Sequence, residues 1–168
     1  MRAPSALLVP LLCLVLAGCG FSLRGSQALP AELQQVAVSA VKPHALLKRE
    51  LKARLQVYQI PHIEMEALKD NADTVVIRLQ PETLERRLLS VFSTGQVAEY
   101  ELIYGVTYQV IFPDKDPLQA SFEVLRDYQD DPDKVLAKSR ELDLVVSEMR
   151  QEAADRIIRQ LARQAGEQ

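Results

Sequence analysis

The chain has 168 residues, with 20 basic and 23 acidic side chains, a net charge of −3, no tryptophan and two cysteines. That length suits a single domain, and a mildly acidic balance excludes binding nucleic acid or another polyanion through the overall field. Any anionic ligand has to be held by a local basic cluster.

Residues 1–18 have the pattern of a secretory leader. Arg2 supplies the positive start, and Leu7 through Leu16 form an apolar stretch too short to span a bilayer. Ala17 and Gly18 lead into Cys19, and Leu16-Ala17-Gly18-Cys19 resembles the bacterial lipobox, where the cysteine thiol is acylated and becomes the new N-terminus. Cys13 leaves with the leader. The mature chain then keeps one cysteine, which allows neither an internal disulfide nor a thiolate metal site. A lone thiol in an oxidising compartment is a liability unless it is modified, and acylation removes it. Gly20 follows the cysteine where an inner-membrane retention signal resembles aspartate, so the expected destination is the outer membrane of a Gram-negative cell. Loss of Arg2 leaves 19 basic against 23 acidic side chains. No second segment approaches membrane-spanning length, so the remainder is expected to be periplasmic.

Residues 20–33 (GFSLRGSQALPAEL) show little periodicity. With Cys19 they form a lipidated tether, 19–33, able to extend about 45 Å, ahead of a single periplasmic α/β domain over 34–168. Gln35–Ala40 is a short strand, with Val36 and Val38 alternating against smaller residues. Pro43 opens a helix, as proline does in a first turn. Leu47, Leu51 and Leu55 stripe that helix to Tyr58, with Lys48, Arg49, Lys52 and Arg54 off the stripe. A second strand starts at Thr74–Leu79, meets an edge position or bulge at Pro81, and resumes to Phe92. Ser93-Thr94-Gly95 turns the chain. From Ala98 to Phe112 every second residue is apolar, Tyr100, Tyr104 and Tyr108 among them, while Glu99, Glu101, Thr107 and Gln109 dominate the other side. Such alternation marks a long antiparallel strand with one covered and one wet face. Another strand runs from Leu118 to near Tyr128. Asp131-Pro132 then caps and opens a helix to Gly166, striped by Val135, Leu142, Val146, Met149, Ala153, Ile157 and Leu161. A helix of about 33 residues is about 50 Å long, matching a strand of about 16 residues, so the helix is expected to lie along the sheet over the tyrosines.

The order β-α-β-β-β-α, with a right-handed crossover and then hairpins, defines the fold class. It is α+β, with two helices on one face of a four-stranded mixed, mainly antiparallel sheet.

Catalytic constellations are missing. His44 and His62, the only histidines, have no metal-ligand spacing. Ser90 and Ser93 lack a nucleophile-elbow context, and the six glycines are scattered rather than gathered in a phosphate loop. Glu99 and Glu101 share a strand face, which a solvated surface explains. The chain is expected to be no enzyme, with no cofactor and no metal. Arg86 and Arg87 are expected to be strand surface.

The run CGFSLRG with Leu29-Pro30, the centre SVFSTGQVAEYELIYGVTY, the strand VLRDY and the stretch DDPDKVLAKSRELDLVVSEMRQEAADRIIRQL together resemble the LPS-assembly lipoprotein family LptE over nearly the whole mature chain. The resemblance implies a subunit of the lipopolysaccharide translocon. Such a subunit is held by acyl chains (palmitate among them), plugs the β-barrel of its partner LptD in a 1:1 complex, helps that barrel assemble, and binds lipopolysaccharide on its way to the surface. A polar sheet face suits a polar barrel lumen. Family members are thought to contact lipopolysaccharide through a basic residue in the hairpin turn and one in the A-L-A-K segment. The second is present as Lys138, whereas Ser93 stands at the turn position. The topology gathers Arg126, Lys134 and Lys138 at that end, where charge-assisted contacts to phosphate are possible. Arg126 alternatively pairs with Glu141 or a neighbouring acid. The competing function is a periplasmic lipid carrier acting without a barrel partner, which requires an enclosed apolar cavity.

Overall fold

The computed structural model describes residues 35–42, 44–68 and 73–166. Strand β1 (Gln35–Ala40), helix α1 (Leu46–Val57), strand β2 (His62–Glu64) and a 3-10 turn (Met65–Ala67) come first. Strands β3 (Thr74–Leu79), β4 (Thr83–Val91), β5 (Val97–Ile111) and β6 (Leu118–Gln129) follow, then a 3-10 turn (Pro132–Lys134) and helix α2 (Val135–Gly166).

Long β5 is the spine. It pairs antiparallel with β6 on one side and with β3 and β4, end to end, on the other. β1 joins β3 in parallel, as the crossover rule requires, and β2 joins β1 in parallel. The sheet therefore has six strands where the sequence reading had four. One addition is β2, too short to show a period. The other arises because the run from Thr74 to Phe92 is two strands. Leu79 pairs with Tyr108 and Thr83 with Gly105, so three residues of one ribbon face two of β5. This is a bulge, centred on Pro81, which has no N–H to give. The Gln80 N–H still donates to the Thr107 carbonyl at 2.9 Å.

Both helices lie on one face of the sheet. Leu102, Tyr104, Val106, Tyr108 and Val110 of β5 are buried beneath them, while the residues between are partly exposed. Tyr104 and Tyr108 are core residues, Tyr100 packs at its margin, and the Tyr108 and Phe122 rings meet edge-on at 6.3 Å. From the helices come Leu47, Leu51 and Leu55 of α1, then Met149, Ala153, Ile157, Ile158 and Leu161 of α2. The expected stripe of α2 is thus only half a core stripe. Val135 is 68 % exposed and Leu142 half-buried, because the first turns of α2 have sheet on one side and no second helix beside them.

Local chemistry sets the helix ends. The place of Pro43 lies outside the described residues. α1 begins at Leu46 after Ala45, with no side-chain cap of its own. A carboxylate from the bulge serves instead, for Glu82 Oε2 accepts the Leu47 N–H at 3.2 Å, satisfying an otherwise open helix donor. At the other end the Gln59 N–H donates to the Gln56 carbonyl and the Ile60 N–H to the Leu55 carbonyl, with Gln59 at φ 59°. That is a Schellman stop, closed by buried Leu55 and Ile60. α2 has the expected start, since Asp131 Oδ1 accepts the Asp133 N–H at 3.1 Å.

Two charge contacts fasten the layers. Arg54 of α1 grips Asp155 of α2 through Nε at 2.6 Å and Nη2 at 3.1 Å, which raises the guanidinium pKa. Lys48 and Lys52 both pair with Glu64 at the end of β2 and hold its carboxyl down at about 2. Since that lies below the ordinary 4.5, the pairing stabilises the fold above pH 4.5 and is lost as pH falls toward 2. The Glu64 side chain is 42 % exposed, so solvent screening limits the gain to about 0.5–1 kcal/mol. Unfolding of Glu64→Gln at stepped pH should show this deficit at neutral pH and none near pH 2.

Candidate functional site

Three elements converge at one end of the molecule. The β4–β5 turn is closed by the Phe92 N–H donating to the Gln96 carbonyl, with Gly95 at φ +83°, a conformation that glycine adopts without strain. β6 ends beside the start of β5, where the Asp130 N–H donates to the Ala98 carbonyl at 2.9 Å. α2 starts immediately after. Lys134 and Lys138 lie at this end as expected, whereas the Arg126 side chain reaches Glu152 farther along α2.

Each of the three cations already has a carboxylate. Lys138 Nζ lies 2.9 Å from Glu141 Oε2, which raises the ammonium pKa, and 5.2 Å from the Tyr128 ring centroid. The Tyr128 hydroxyl donates to the Lys138 carbonyl at 2.6 Å, so this side chain sits on a fixed base. Lys134 pairs with Asp131 at 3.0 Å and lowers that carboxyl's pKa. Arg126 pairs with Glu152 and donates to the Leu125 carbonyl at 3.0 Å. Of the partners open to Arg126, Glu141 or another acid nearby, the second is found: Glu141 serves Lys138, and Arg126, two residues down the strand from Tyr128, meets Glu152 farther along α2. Cys19 and residues 20–33 lie outside the described residues.

The cation that sequence reasoning set aside is Arg86. In the ladder it stands opposite Leu102, which stands opposite Arg126. All three share the helix-bearing face. The bulge expected at Pro81 is present, and its extra residue reverses the parity of β4 relative to β3.

Among the described residues, no helix covers the opposite face of the sheet. Glu85 and Arg87 of β4, Glu101, Ile103, Gly105 and Thr107 of β5, and Ser121, Glu123, Leu125 and Asp127 of β6 lie across it by register. Arg87 pairs with Glu101, and the Ser90 hydroxyl donates to Glu99 at 2.8 Å. The two glutamates therefore have surface partners and no shared reaction centre. A shallow groove of about 450 Å³ runs along this face past Thr83, Gly105 and Ser121. A Cβ at Gly105 would come within 2.4 Å of Thr83 Oγ1, so a larger residue there would force the Thr83 hydroxyl to turn away. A larger groove of about 630 Å³ lies on the same face at the far end, by Thr74, Val76 and Ile111. Neither lies between sheet and helices, where Tyr104 and Tyr108 fill the space.

Among the described residues, no group of three or more His, Cys, Asp or Glu side chains could hold a metal ion. No described helix is long and apolar enough to cross a membrane. His62 Nδ1 is 3.3 Å from the Ile60 carbonyl, and His44 is exposed.

Fold and surfaces together define a protein with one sheet face packed under helices, one open and largely polar face, and an end where Lys134 and Lys138 are paired with acids. The chain belongs to the LptE family, described as lipopolysaccharide-assembly, whose sequence profile matches residues 33–161. It is 36% identical over 155 residues to the LPS-assembly lipoprotein LptE of Photorhabdus laumondii, covering 92% of this chain and 83% of that one. To the protein of the same name from Pectobacterium atrosepticum it is 33% identical over equal shares. Among solved structures, rare lipoprotein B from Shewanella oneidensis is similar at a TM-score of 0.68 and 42% identity, over 77% of this chain and 95% of that one. A lipoprotein B from Nitrosomonas europaea shares the fold at a TM-score of 0.67 and 22% identity, over 85% and 90%. The family's role by name is assembly of lipopolysaccharide, a non-catalytic task of the cell envelope.

Proposed function

We propose that this chain is the outer-membrane lipoprotein subunit of the lipopolysaccharide translocon. Residues 1–18 are removed, Cys19 carries the acyl chains, 19–33 form the tether and 34–168 the periplasmic domain. That domain plugs the LptD barrel, helps it assemble, and binds lipopolysaccharide in transit through Lys138, with Arg126 and Lys134 beside it. The observation that carries this reading is the asymmetry of the sheet. One face is a filled core, and the other offers a broad polar surface to the polar lumen of a barrel. Lys134 and Lys138 support the ligand role, because ion-paired lysines can exchange a carboxylate for a phosphate.

Photo-crosslinking in cells tests both halves. A photoreactive residue at Thr107, Ser121 or Glu123 is expected to capture a large outer-membrane barrel protein. One at Lys138 is expected to capture lipopolysaccharide. Depletion of the chain should leave that barrel misassembled, and normal barrel assembly with normal surface lipopolysaccharide would overturn the reading. The carrier alternative is disfavoured because Tyr104, Tyr108 and Phe122 occupy the volume a lipid would need.

A further inference from the structure

The helix-bearing face of the sheet is only partly covered. Opposite Tyr104, Leu102 and Tyr100 of β5 stand Leu84, Arg86 and Leu88 of β4. α2 seals β5, leaving Leu102 and Tyr104 buried, but stops short of the edge strand: Leu84 is 41 % and Leu88 54 % exposed. Arg86, between them, has no hydrogen-bond or ion-pair partner among the described residues. The acid next to it in sequence, Glu85, points to the other face. The opening turns of α2, at this same end, add exposed Val135 and Leu136.

An unpaired guanidinium framed by uncovered leucines is a combination that water serves poorly and a phosphorylated amphiphile serves well. Arginine takes phosphate through two parallel N–H donors, and acyl carbons gain by covering leucine. A free phosphate would use only the cation, and an apolar protein helix only the leucines. We propose that the Leu84–Arg86–Leu88 strip binds a phosphorylated lipid, Arg86 holding a phosphate and the two leucines the acyl carbons beside it. Arg86 stands on edge strand β4 and Lys138 on α2, and both act electrostatically on the Tyr128 hydroxyl, so the strip adjoins the Lys138 end. The inference rests on the proposed function in taking its lipid from the lipopolysaccharide class, and it assigns that lipid a second footing on β4.

The test uses the full lipoprotein with a photoreactive phenylalanine at Leu84, Leu88 or, separately, Lys138, and lipid A with or without its phosphates as probe. Positions 84 and 88 are expected to capture phosphorylated lipid A. Capture there should fall at least about fivefold with the phosphate-free lipid or with Arg86→Gln, and should return largely with Arg86→Lys. Capture that ignores the phosphates, no capture, or capture of protein alone from these positions overturns the proposal. If Lys138 still captures lipid while 84 and 88 do not, only this inference fails. If none of the three does, the lipid-binding half of the proposed function fails as well. Should Arg86→Gln fold poorly, comparing the two lipids on the Arg86 protein still decides the matter.

Discussion

Truncating Ile157 to alanine is expected to lower the free energy of unfolding by about 3–4 kcal/mol. The same change at Leu136 should move it by less than about 0.5 kcal/mol. Both are apolar residues of α2, yet Ile157 has no exposed surface and Leu136 is 83 % exposed. Ile157 belongs to the stretch where sheet, α1 and α2 share one core, so the cavity left behind has no mobile wall to fill it. Urea titrations of the two variants, read by tyrosine fluorescence, measure the contrast. Equal losses would mean that the opening turns of α2 are covered by something in the folded monomer.

The second large effect concerns the anchor. Cys19→Ser is expected to move the chain, produced in excess over any partner, from the membrane fraction to the soluble periplasmic fraction. Each buried methylene contributes about 0.8 kcal/mol of membrane attachment, so losing the acyl chains removes nearly all of it. Fractionation with mass spectrometry of the N-terminal peptide checks this. A wild-type chain that is unacylated and already soluble would contradict the anchoring.

What was legible beforehand follows from how local each signal is. The alternation from Ala98 to Phe112 gave β5 and its covered face, and Asp131-Pro132 gave the start of α2, because both depend on neighbours in sequence. The parallel pairing of β1 with β3 followed from crossover handedness. The distant partnerships were hidden. Glu82 caps α1 from across a strand connection, and Gln59 ends that helix in a left-handed conformation usually left to glycine. At the candidate site, the place of Lys138 was readable from topology. The partner of Arg126 was not, because choosing Glu152 over Glu141 depends on how far α2 slides along β6, which no periodicity specifies. Arg86 was read as strand surface, which it is, but its cross-strand neighbours depend on how many residues the Pro81 bulge holds, and that number has no local signal.

The extra residue of that bulge has a larger meaning. Leu79 and Leu84 both point toward the helices although one position is odd and the other even. Deleting any one of residues 80–82 would leave three steps from Leu79 to Thr83, matching the three from Tyr108 to Gly105, so the ribbon would run regularly along β5 with every β4 side chain on its present face. The extra residue instead frees the corner from the ladder, and from that corner Glu82 reaches the Leu47 N–H of α1. An irregularity at the sheet edge thereby holds the start of a helix in place.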